Sequence, residues 1–370
     1  MTARALDDAF LAVVADYQSG GAGCTEERFE QLALDLFAYQ VERNAPYARY
    51  AASLGFRAAQ PPASWREIPA VPSSAFKDTT LATFDVSGAE AIFHTSGTTA
   101  GAAGKHYLER AALYDAALCA AFDRFVLGDN AKLRYLNLVP NPRLHPHSSL
   151  GYMMGHVSVL RGDGRAAYFF ESGDVDVAGF ARALDDAIGA GQAVCIAGTA
   201  FAFVALLDGL AAAKRRFVAP PGSRIMETGG FKGRTRVVER RELYARLQEA
   251  FGIAYPSIVS EYGMTELVSQ YYDDFASRSA ETRVKSGPPW LRTLVVDERG
   301  GEVVRGEAGF LRHVDLGNRS SVVAIETEDR GYATDGGFVL LGRDEEAAAR
   351  GCSLDAEDLL LRARIEMQRM

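Results

Sequence analysis

Residues with useful chemistry are densest between His94 and Lys105, where the sequence reads His–Thr–Ser–Gly–Thr–Thr–Ala–Gly–Ala–Ala–Gly–Lys. Glycines let the backbone turn and approach a ligand closely. The hydroxyl side chains and backbone N–H groups suit an anion, and Lys105 adds a positive charge. His106 follows Lys105, so the spacing differs from the common P-loop, in which Ser or Thr follows the lysine. The segment predicts a phosphate-binding loop, with a plain solvent-exposed loop as the alternative.

A second polar segment follows an apolar run at 257–259 and extends from Ser260 to Glu266 as Ser–Glu–Tyr–Gly–Met–Thr–Glu. A sharp glycine turn at the carboxyl end of a strand is where α/β sheets bind ligands. Tyr262 could stack on a base, Thr265 could bind a phosphate oxygen, and Glu266 could hold Mg²⁺. The alternative is a strand-to-helix connection in which Thr265 or Glu266 caps the next helix.

The sequence holds four widely spaced cysteines and no Cys-x-x-Cys pair. This spacing indicates neither a zinc site nor a disulfide framework, and it fits a reducing compartment. Cys352 follows a glycine, and Arg350 could lower the pKa of its thiol, which makes it a candidate nucleophile. The alternative is a small buried residue, and Cys119 and Cys195 are expected to be of that kind.

These groups need elements that position them, and from residue 91 short apolar runs alternate with longer helical stretches. We expect strands near 91–93, 135–139, 166–170, 193–197 and 258–260, and helices near 110–125, 176–189, 199–213 and 235–250. Strands that alternate with helices of this length favour βαβ units and a parallel sheet. The sequence therefore predicts an α/β fold with a large layered N-terminal body over residues 1–283, of which 1–90 are mainly helical.

The pattern changes after residue 284 to short apolar runs separated by Gly, Asp and Asn. Strands are expected near 291–296, 310–314, 322–325 and 338–341. We predict a smaller β-rich lobe over 284–351, followed by a tail over 352–370.

Charge and apolar content limit the classes of partner that the sequence predicts. The 370 residues carry a formal net charge of −8 and no run rich in Lys or Arg, which argues against a nucleic-acid partner. The most apolar window, 197–213, is shorter than a spanning helix and contains Asp208, so no membrane span is expected. The N-terminus has no uninterrupted apolar stretch of the signal-peptide type, and a cytoplasmic location is predicted.

Together, the two polar segments resemble the T-S-G-T-T-G-x-x-x-K loop and the Y-G-x-T-E motif of the adenylate-forming superfamily of acyl- and aryl-CoA synthetases. Three further resemblances follow in order: Glu227–Phe231 to the adenine wall, Tyr332–Asp335 to the Y-x-T-G-D motif, and Gly342–Gly351 to the hinge motif. The resemblance implies use of ATP and Mg²⁺ to activate a carboxylic acid as acyl-AMP, with release of pyrophosphate.

The resemblance also implies roles for individual residues. Lys105 and Glu266 would be catalytic, and Glu266 would hold the metal. Asp335 would hold the ribose of ATP together with Arg343. The residues implied in ATP binding are Thr95, Ser96, Gly97, Thr98, Thr99, Gly229, Gly230, Phe231, Tyr262, Gly263, Thr265, Asp335 and Arg343. The substrate pocket would include His147, Tyr152, Met153 and Met264. Two departures are Ala100 in the loop, where glycine is usual, and the missing glycine before Asp335.

Within this superfamily the chain resembles acyl-protein synthetases, the LuxE-type fatty-acid–protein ligases. The resemblance is carried by 36–40, 44–47, 68–77 and 148–153. It implies transfer of a fatty acyl group to Cys352, the third catalytic residue, and then to a partner such as a reductase or carrier protein. It also implies that the usual C-terminal mobile domain and its catalytic lysine are absent, with Lys105 or Lys232 as substitutes.

Two other functions stay open at this point. The first is a stand-alone ligase that delivers its acyl group directly to CoA, a carrier protein or an amine. The second is a non-catalytic nucleotide-binding scaffold.

Overall fold

A computed structural model describes residues 1–95, 103–128, 132–229 and 239–343. The α-helices within these ranges are α1 Ala3–Gln18, α2 Glu26–Arg43, α3 Ala45–Ser53, α4 Ala75–Asp78, α5 Ala111–Phe122, α6 Ser149–Arg161, α7 Val177–Gly189, α8 Ala200–Ala212 and α9 Arg240–Phe251. A π-helical turn, Asp123–Leu127, continues α5 and ends at Gly128 in the left-handed conformation.

The strands within the same ranges are β1 Val71–Pro72, β2 Ala91–His94, β3 Lys105–Leu108, β4 Arg134–Pro140, β5 Ala167–Glu171, β6 Asp174–Val175, β7 Val194–Thr199, β8 Arg224–Thr228, β9 Ile258–Tyr262, β10 Tyr271–Asp273, β11 Lys285–Ser286, β12 Leu291–Val296, β13 Ala308–Asp315, β14 Ala324–Thr334 and β15 Gly337–Arg343. The chain divides into two compact units. Unit 1 contains the described residues of Met1–Ala120, Met264–Ser269 and Gly287–Met370, and unit 2 contains those of Ala121–Gly263 and Gln270–Ser286.

Unit 2 is built on a sheet with the strand order β11-β10-β9-β8-β7-β4-β5-β6. Its central strands β9, β8, β7, β4 and β5 are parallel, and β10, β11 and β6 are antiparallel additions. Side chains from β4, β7 and β8 form one apolar core with side chains from α7, α8 and α9. Parallel strands buried by helices in this way are typical of α/β proteins.

Unit 1 combines N-terminal helices with antiparallel strands. Strands β12, β13, β14 and β15 pair in that order, and β1 pairs in parallel with β14. Strands β2 and β3 form a separate hairpin. The Trp290 ring is fully buried and packs edge-on against Phe10 and Tyr17 of α1, which fixes this helix in the unit.

Local sequence explains where the N-terminal helices begin. Thr2, Thr25 and Asn44 each accept a backbone N–H of the first turn, as residues at helix N-caps commonly do. Asn44 also ends α2, because the following Ala45–Pro46 begins a new helix with proline in its first turn. No helix in the described ranges has the length and apolar character needed to cross a membrane. The boundary expected after residue 283 stays a prediction.

Candidate functional site

The β2–β3 hairpin of unit 1 carries the two ends of the predicted phosphate-binding loop. His94 pairs with Lys105 across the hairpin. Beyond them, the Thr95 N–H donates to the Gly104 carbonyl, and the Gly104 N–H donates to Thr95 Oγ1, both over 2.9 Å. Gly104 is buried, and a Cβ there would lie 3.0 Å from the backbone of Phe76 in α4. Thr95 and Gly104 therefore form a closed neck at the two ends of the predicted loop, and the Lys105 side chain next to Gly104 is exposed.

Two hydrogen bonds connect this hairpin to Thr265, which lies 159 residues beyond His106 in the chain. The Thr265 hydroxyl donates to the His94 carbonyl over 3.4 Å. The Nδ1 atom of His106 lies 2.8 Å from the Thr265 carbonyl oxygen. The structure thus brings together Thr95, Lys105 and Thr265, which sequence analysis assigned to one site.

The His106 side chain is completely buried and its ring packs edge-on against Phe76, with centroids 5.8 Å apart. Burial lowers the pKa of His106 to about 4, although the hydrogen bond to Thr265 acts in the opposite direction. The imidazole is therefore neutral at pH 7. Since a carbonyl oxygen can only accept, Nδ1 carries the proton. In the sequence, only its position next to Lys105 marks this residue as part of the site.

The segment Met264–Ser269 has no regular secondary structure, and buried side chains satisfy its backbone. Asp315 accepts from the N–H groups of Val268 and Ser269 over 3.0 and 2.8 Å. Asn318 donates to the Glu266 carbonyl over 3.0 Å and accepts from Val268 N–H over 3.1 Å. The backbone that follows the Glu266 side chain, which is 8% exposed, is therefore held by side chains from 315–318.

In unit 2, other predicted residues follow the carboxyl ends of parallel strands. Tyr262 is the last residue of β9, and Gly263 follows it. Gly229 follows β8 with φ of +74°, a conformation that favours glycine. Because β8 and β9 are neighbours in parallel register, Gly229 and Tyr262 lie at the same edge of this sheet. That edge is where open α/β sheets bind their ligands.

The predicted pocket residues of unit 2 follow β4. His147 is exposed in the loop after this strand, Tyr152 is half-buried in α6, and Met153 is 2% exposed. The Tyr152 ring stacks on His156 with centroids 6.2 Å apart. Met264, the fourth predicted pocket residue, is half-buried and belongs to unit 1.

Two buried glutamates, Glu227 and Glu261, lie at the ends of β8 and β9. Tyr244 donates to Glu227 over 3.1 Å, and Thr228 donates to Glu261. Burial raises the pKa of Glu227, while the cation of Arg240 lowers it. Glu227 and Glu261 thus have partners of their own at the edge that carries Gly229 and Tyr262.

A buried ionic cluster holds β9 from the side of β10. The Asp273 carboxylate forms ion pairs with Arg283 over 2.6 Å and with Lys285 over 2.9 Å. All three side chains are almost completely buried. Asp273 also accepts from the Ser260 N–H, and Lys285 donates to the Ser260 carbonyl, each over 2.8 Å. Burial raises the pKa of Asp273, but the two cations outweigh burial and hold this pKa below its ordinary value. The cluster fixes the strand that ends at Tyr262.

Asp335 and Arg343 do not lie together, although the sequence reading placed both on one ribose. Asp335 is exposed in the β14–β15 turn, where it pairs with Arg305. Arg343 is six residues beyond Gly337 along β15, roughly 20 Å away at the strand rise of about 3.3 Å per residue. A single ribose is too small to contact both, so this pairing does not fit the geometry.

Asp329 is the residue that the hairpin places opposite Arg343. The two are register partners, and Arg343 Nε lies 3.5 Å from Asp329 Oδ1. The sequence carried a signal for this residue: Thr327 and Asp329 have the Thr-x-Asp spacing of the expected motif, whereas Thr334 and Asp335 are adjacent.

Several predicted residues lie outside the described part of the chain. They are Ser96, Gly97, Thr98, Thr99, Gly230, Phe231 and Cys352, together with Lys232.

The donor chemistry of the segment 264–269 fits magnesium. Mg²⁺ prefers oxygen ligands and is usually bound by one or two carboxylates together with substrate phosphates and water. Glu266 supplies a carboxylate next to Thr265, which is tied to the neck of the phosphate-loop hairpin. Among the described residues, no group of three or more His, Cys, Asp or Glu could hold a metal by itself.

Comparison with known proteins gives the fold. The sequence matches no protein-family model and no curated protein. Its structure is similar to an open conformation of 2-hydroxyisobutyryl-CoA ligase in complex with 2-HIB-AMP and CoA, with a TM-score of 0.63 and 14% identity over 86% of this chain and 69% of that chain. It is also similar to McyG A-PCP complexed with phenylalanyl-adenylate, with a TM-score of 0.51 and 16% identity over 72% of this chain. The match covers 49% of the McyG chain, about half its length. The predicted α/β fold of adenylate-forming enzymes is confirmed.

Proposed function

We propose that this protein activates a carboxylic acid with ATP, forming acyl-AMP and pyrophosphate. The observation that carries the proposal is the pair of hydrogen bonds that joins Thr265 to His94 and His106. These bonds bring the neck of the predicted anion-binding loop next to the Thr265 hydroxyl, one residue before Glu266 in a distant part of the chain. The fold supports the same reaction, since the two similar structures contain 2-HIB-AMP and phenylalanyl-adenylate.

The chemistry is a displacement at the α-phosphorus. A carboxylate oxygen attacks this atom, the bond from the α-phosphorus to the bridging oxygen breaks, and pyrophosphate leaves with the electron pair. The product is a mixed anhydride that a nucleophile can open. The protein has to align the two anionic reactants and neutralise charge, so positioned donors matter more than a covalent protein group.

The loop of the β2–β3 hairpin would bind the pyrophosphate portion of ATP. Its proposed donors are Thr95, Ser96, Gly97, Thr98, Thr99 and Lys105. Thr95 and Lys105 lie at the neck, where the loop begins and ends. Thr265 would add a hydroxyl, because its 3.4 Å bond to His94 is long and costs little to exchange for a phosphate oxygen. Mg²⁺, held by the Glu266 carboxylate, would supply charge stabilisation to the leaving pyrophosphate.

The nucleoside portion of ATP would contact residues at the ends of β8 and β9 and Arg343 at the end of β15. Gly229, Gly230 and Phe231 would flank the adenine with Tyr262 and Gly263. We propose that Arg343 contacts the ribose with Asp329, and not with Asp335. The Asp329 carboxylate is 16% exposed and lies opposite Arg343, whereas that of Asp335 is 92% exposed in the turn.

The finer proposal is that the acid is a fatty acid and that the enzyme is of the acyl-protein synthetase type. The residues proposed to contact the acyl chain are His147, Tyr152, Met153 and Met264. Cys352 would attack the carbonyl carbon of acyl-AMP, form a thioester and release AMP, before transfer to a partner protein.

The three described cysteines, Cys24, Cys119 and Cys195, are all buried. Burial raises the pKa of Cys24, and it raises the pKa of Cys195 to about 12, which makes both thiols poor nucleophiles. An accessible acyl-thioester would therefore map to Cys352.

The test combines pyrophosphate release with intact-protein mass spectrometry. The protein is incubated with Mg-ATP and a panel of short, aromatic and long-chain carboxylic acids. We expect pyrophosphate release that depends on one class of acid, together with a hydroxylamine-labile mass gain on Cys352. Cys352→Ser should abolish the mass gain and keep pyrophosphate release, and the control Cys24→Ser should change neither.

Each part of the proposal can fail separately. Pyrophosphate release without any protein adduct would contradict the role of Cys352 and point to CoA, a carrier protein or an amine as the acceptor. No release with any acid would contradict adenylation and favour a non-catalytic nucleotide-binding protein.

A further inference from the structure

His106 is the part of the β2–β3 hairpin that reaches the segment 264–269 with a short hydrogen bond. Its Nδ1 atom lies 2.8 Å from the Thr265 carbonyl, whereas the second connection, from the Thr265 hydroxyl to His94, spans 3.4 Å. The neighbouring residue in β3 is Lys105, and the ring of His106 packs on Phe76, whose backbone also contacts Gly104. The His106 side chain therefore contacts both Phe76, which packs beside Gly104, and the Thr265 carbonyl just before Glu266.

We propose that His106 is a positioning residue that sets Thr265 and Glu266 relative to Thr95 and Gly104, the neck of the predicted phosphate-binding loop. The inference rests on the proposed adenylation, in which Thr265 and Glu266 act on the phosphates and the metal. Its immediate effect is on backbone geometry: the Nδ1–H bond fixes the Thr265 carbonyl, and the Glu266 side chain starts one residue further on.

The second ring nitrogen of His106 makes no hydrogen bond within the described part of the chain that would explain a histidine at this position, so the explanation has to come from the Nδ1 bond. The Nε2 atom is buried and has no hydrogen-bond partner among the described residues. A buried polar atom without a partner destabilises the folded state, so an apolar side chain would fill the same space at lower cost. A histidine here makes physical sense if its Nδ1–H donor is needed.

The rest of the segment is held independently of His106. Asp315 and Asn318 bind Glu266, Val268 and Ser269 from the other side, so loss of the Nδ1 bond should loosen Thr265 without unfolding the segment. This separation makes a functional effect distinguishable from a loss of folding.

Three substitutions test the proposal. His106→Asn can place its amide nitrogen where Nδ1 lies and keep the donor, whereas His106→Leu removes it. The matched control is His313→Leu, because His313 is also a completely buried histidine of unit 1, with its Nδ1 atom 3.0 Å from the Thr293 hydroxyl. The readouts are kcat/KM for ATP in acid-dependent pyrophosphate release, KM for the acid, thermal midpoint, and deuterium exchange of the peptides around Thr95, Gly104 and Thr265.

We expect His106→Leu to lower kcat/KM for ATP about 30-fold, since misplacement near 1 Å can cost a factor of 100. KM for the acid should change less than about threefold, because the positioned groups act on the phosphates. His106→Asn should restore most of the loss. His313→Leu should leave kcat/KM for ATP unchanged.

The proposal is overturned if His106→Asn is as impaired as His106→Leu, or if His313→Leu loses as much ATP efficiency. Deuterium exchange separates this result from failure of the proposed function. If wild-type protein releases no pyrophosphate with any acid, faster exchange around Thr265 in His106→Leu alone would still support the positioning role. Unchanged exchange there would refute it.

Discussion

Arg343 faces two carboxylates in the β14–β15 hairpin, Asp329 at 3.5 Å and Glu328 at 3.7 Å. An arginine beside a carboxylate can present hydrogen-bond donors and acceptors to the two hydroxyls of a ribose. Asp335 lies at the other end of the hairpin, paired with Arg305 in an exposed turn. The residue-scale choice between Asp329 and Asp335 therefore has a direct experimental answer.

We predict that Asp329→Asn raises KM for ATP by about 10- to 100-fold, the range for loss of a hydrogen bond to a charged group. Asp335→Asn should stay within about twofold of wild type, because its exposed pair with Arg305 contributes little. Steady-state kinetics with varied ATP check both variants. A larger effect from Asp335→Asn than from Asp329→Asn would contradict the assignment.

Residue types and spacing could predict much of this site. Thr95, Lys105, Thr265 and Glu266 were singled out from two segments far apart in the sequence, and unit 1 brings these segments together. His106 could not be predicted in this way. A histidine that binds one carbonyl has no periodicity or spacing to reveal it, and only the tertiary contact with Thr265 gives it a role.

At the scale of elements, the segment 264–269 depends on Asp315 for order. Asp315 is completely buried and accepts hydrogen bonds from Val268, Ser269 and Gly317. Burial raises the pKa of Asp315 from 3.8 to about 6, although these donors favour the charged form. Between these values the native state holds a proton that the unfolded chain has lost.

The sign of the pH effect follows. Protonated Asp315 stabilises the folded state fully below about pH 4, and this stabilisation is lost as the pH rises through 6. The loss in the free energy of unfolding amounts to at most about 3 kcal/mol. Asp315→Asn cannot titrate, so the free energy of unfolding of wild type relative to this variant should fall between pH 4 and 7. Denaturant titrations at several pH values measure this difference, with Asp297→Asn in an exposed turn as the control. A difference that does not change with pH would contradict the prediction.

Elements with a clear apolar pattern were predictable, and those shaped by close packing were not. The strand expected at 135–139 is Arg134–Pro140, and the helix expected at 176–189 is Val177–Gly189. Helix α6 was not predicted because Gly151 and Gly155 weaken its helix signal. A Cβ at Gly151 would lie 2.6 Å from the Pro140 carbonyl oxygen, and one at Gly155 would lie 2.7 Å from the Pro142 ring, so close approach explains both glycines.

Strand β8 was missed for a different reason. Its last residues, Glu227 and Thr228, are polar but buried, and they break the apolar run that marks a strand. Their partners Tyr244 and Glu261 come from other elements, so the compensation is invisible in the sequence around β8.

At the scale of the whole molecule, composition and element order predicted only an α/β protein. The adenylate-forming fold was predicted from ordered motifs, and the similarity to 2-hydroxyisobutyryl-CoA ligase confirms it at 14% identity. A fold does not determine a reaction, so the proposed chemistry depends on what the site does with ATP and a carboxylic acid.

The most direct measurement follows oxygen from the acid into AMP. The protein is incubated with Mg-ATP and the accepted carboxylic acid labelled with ¹⁸O in both carboxylate oxygens, and the AMP is analysed by mass spectrometry. If the carboxylate attacks the α-phosphorus, the bridging oxygen stays with AMP after acyl transfer, and each AMP carries one ¹⁸O atom. AMP without ¹⁸O would mean that water attacks the α-phosphorus, and it would contradict formation of acyl-AMP by this protein.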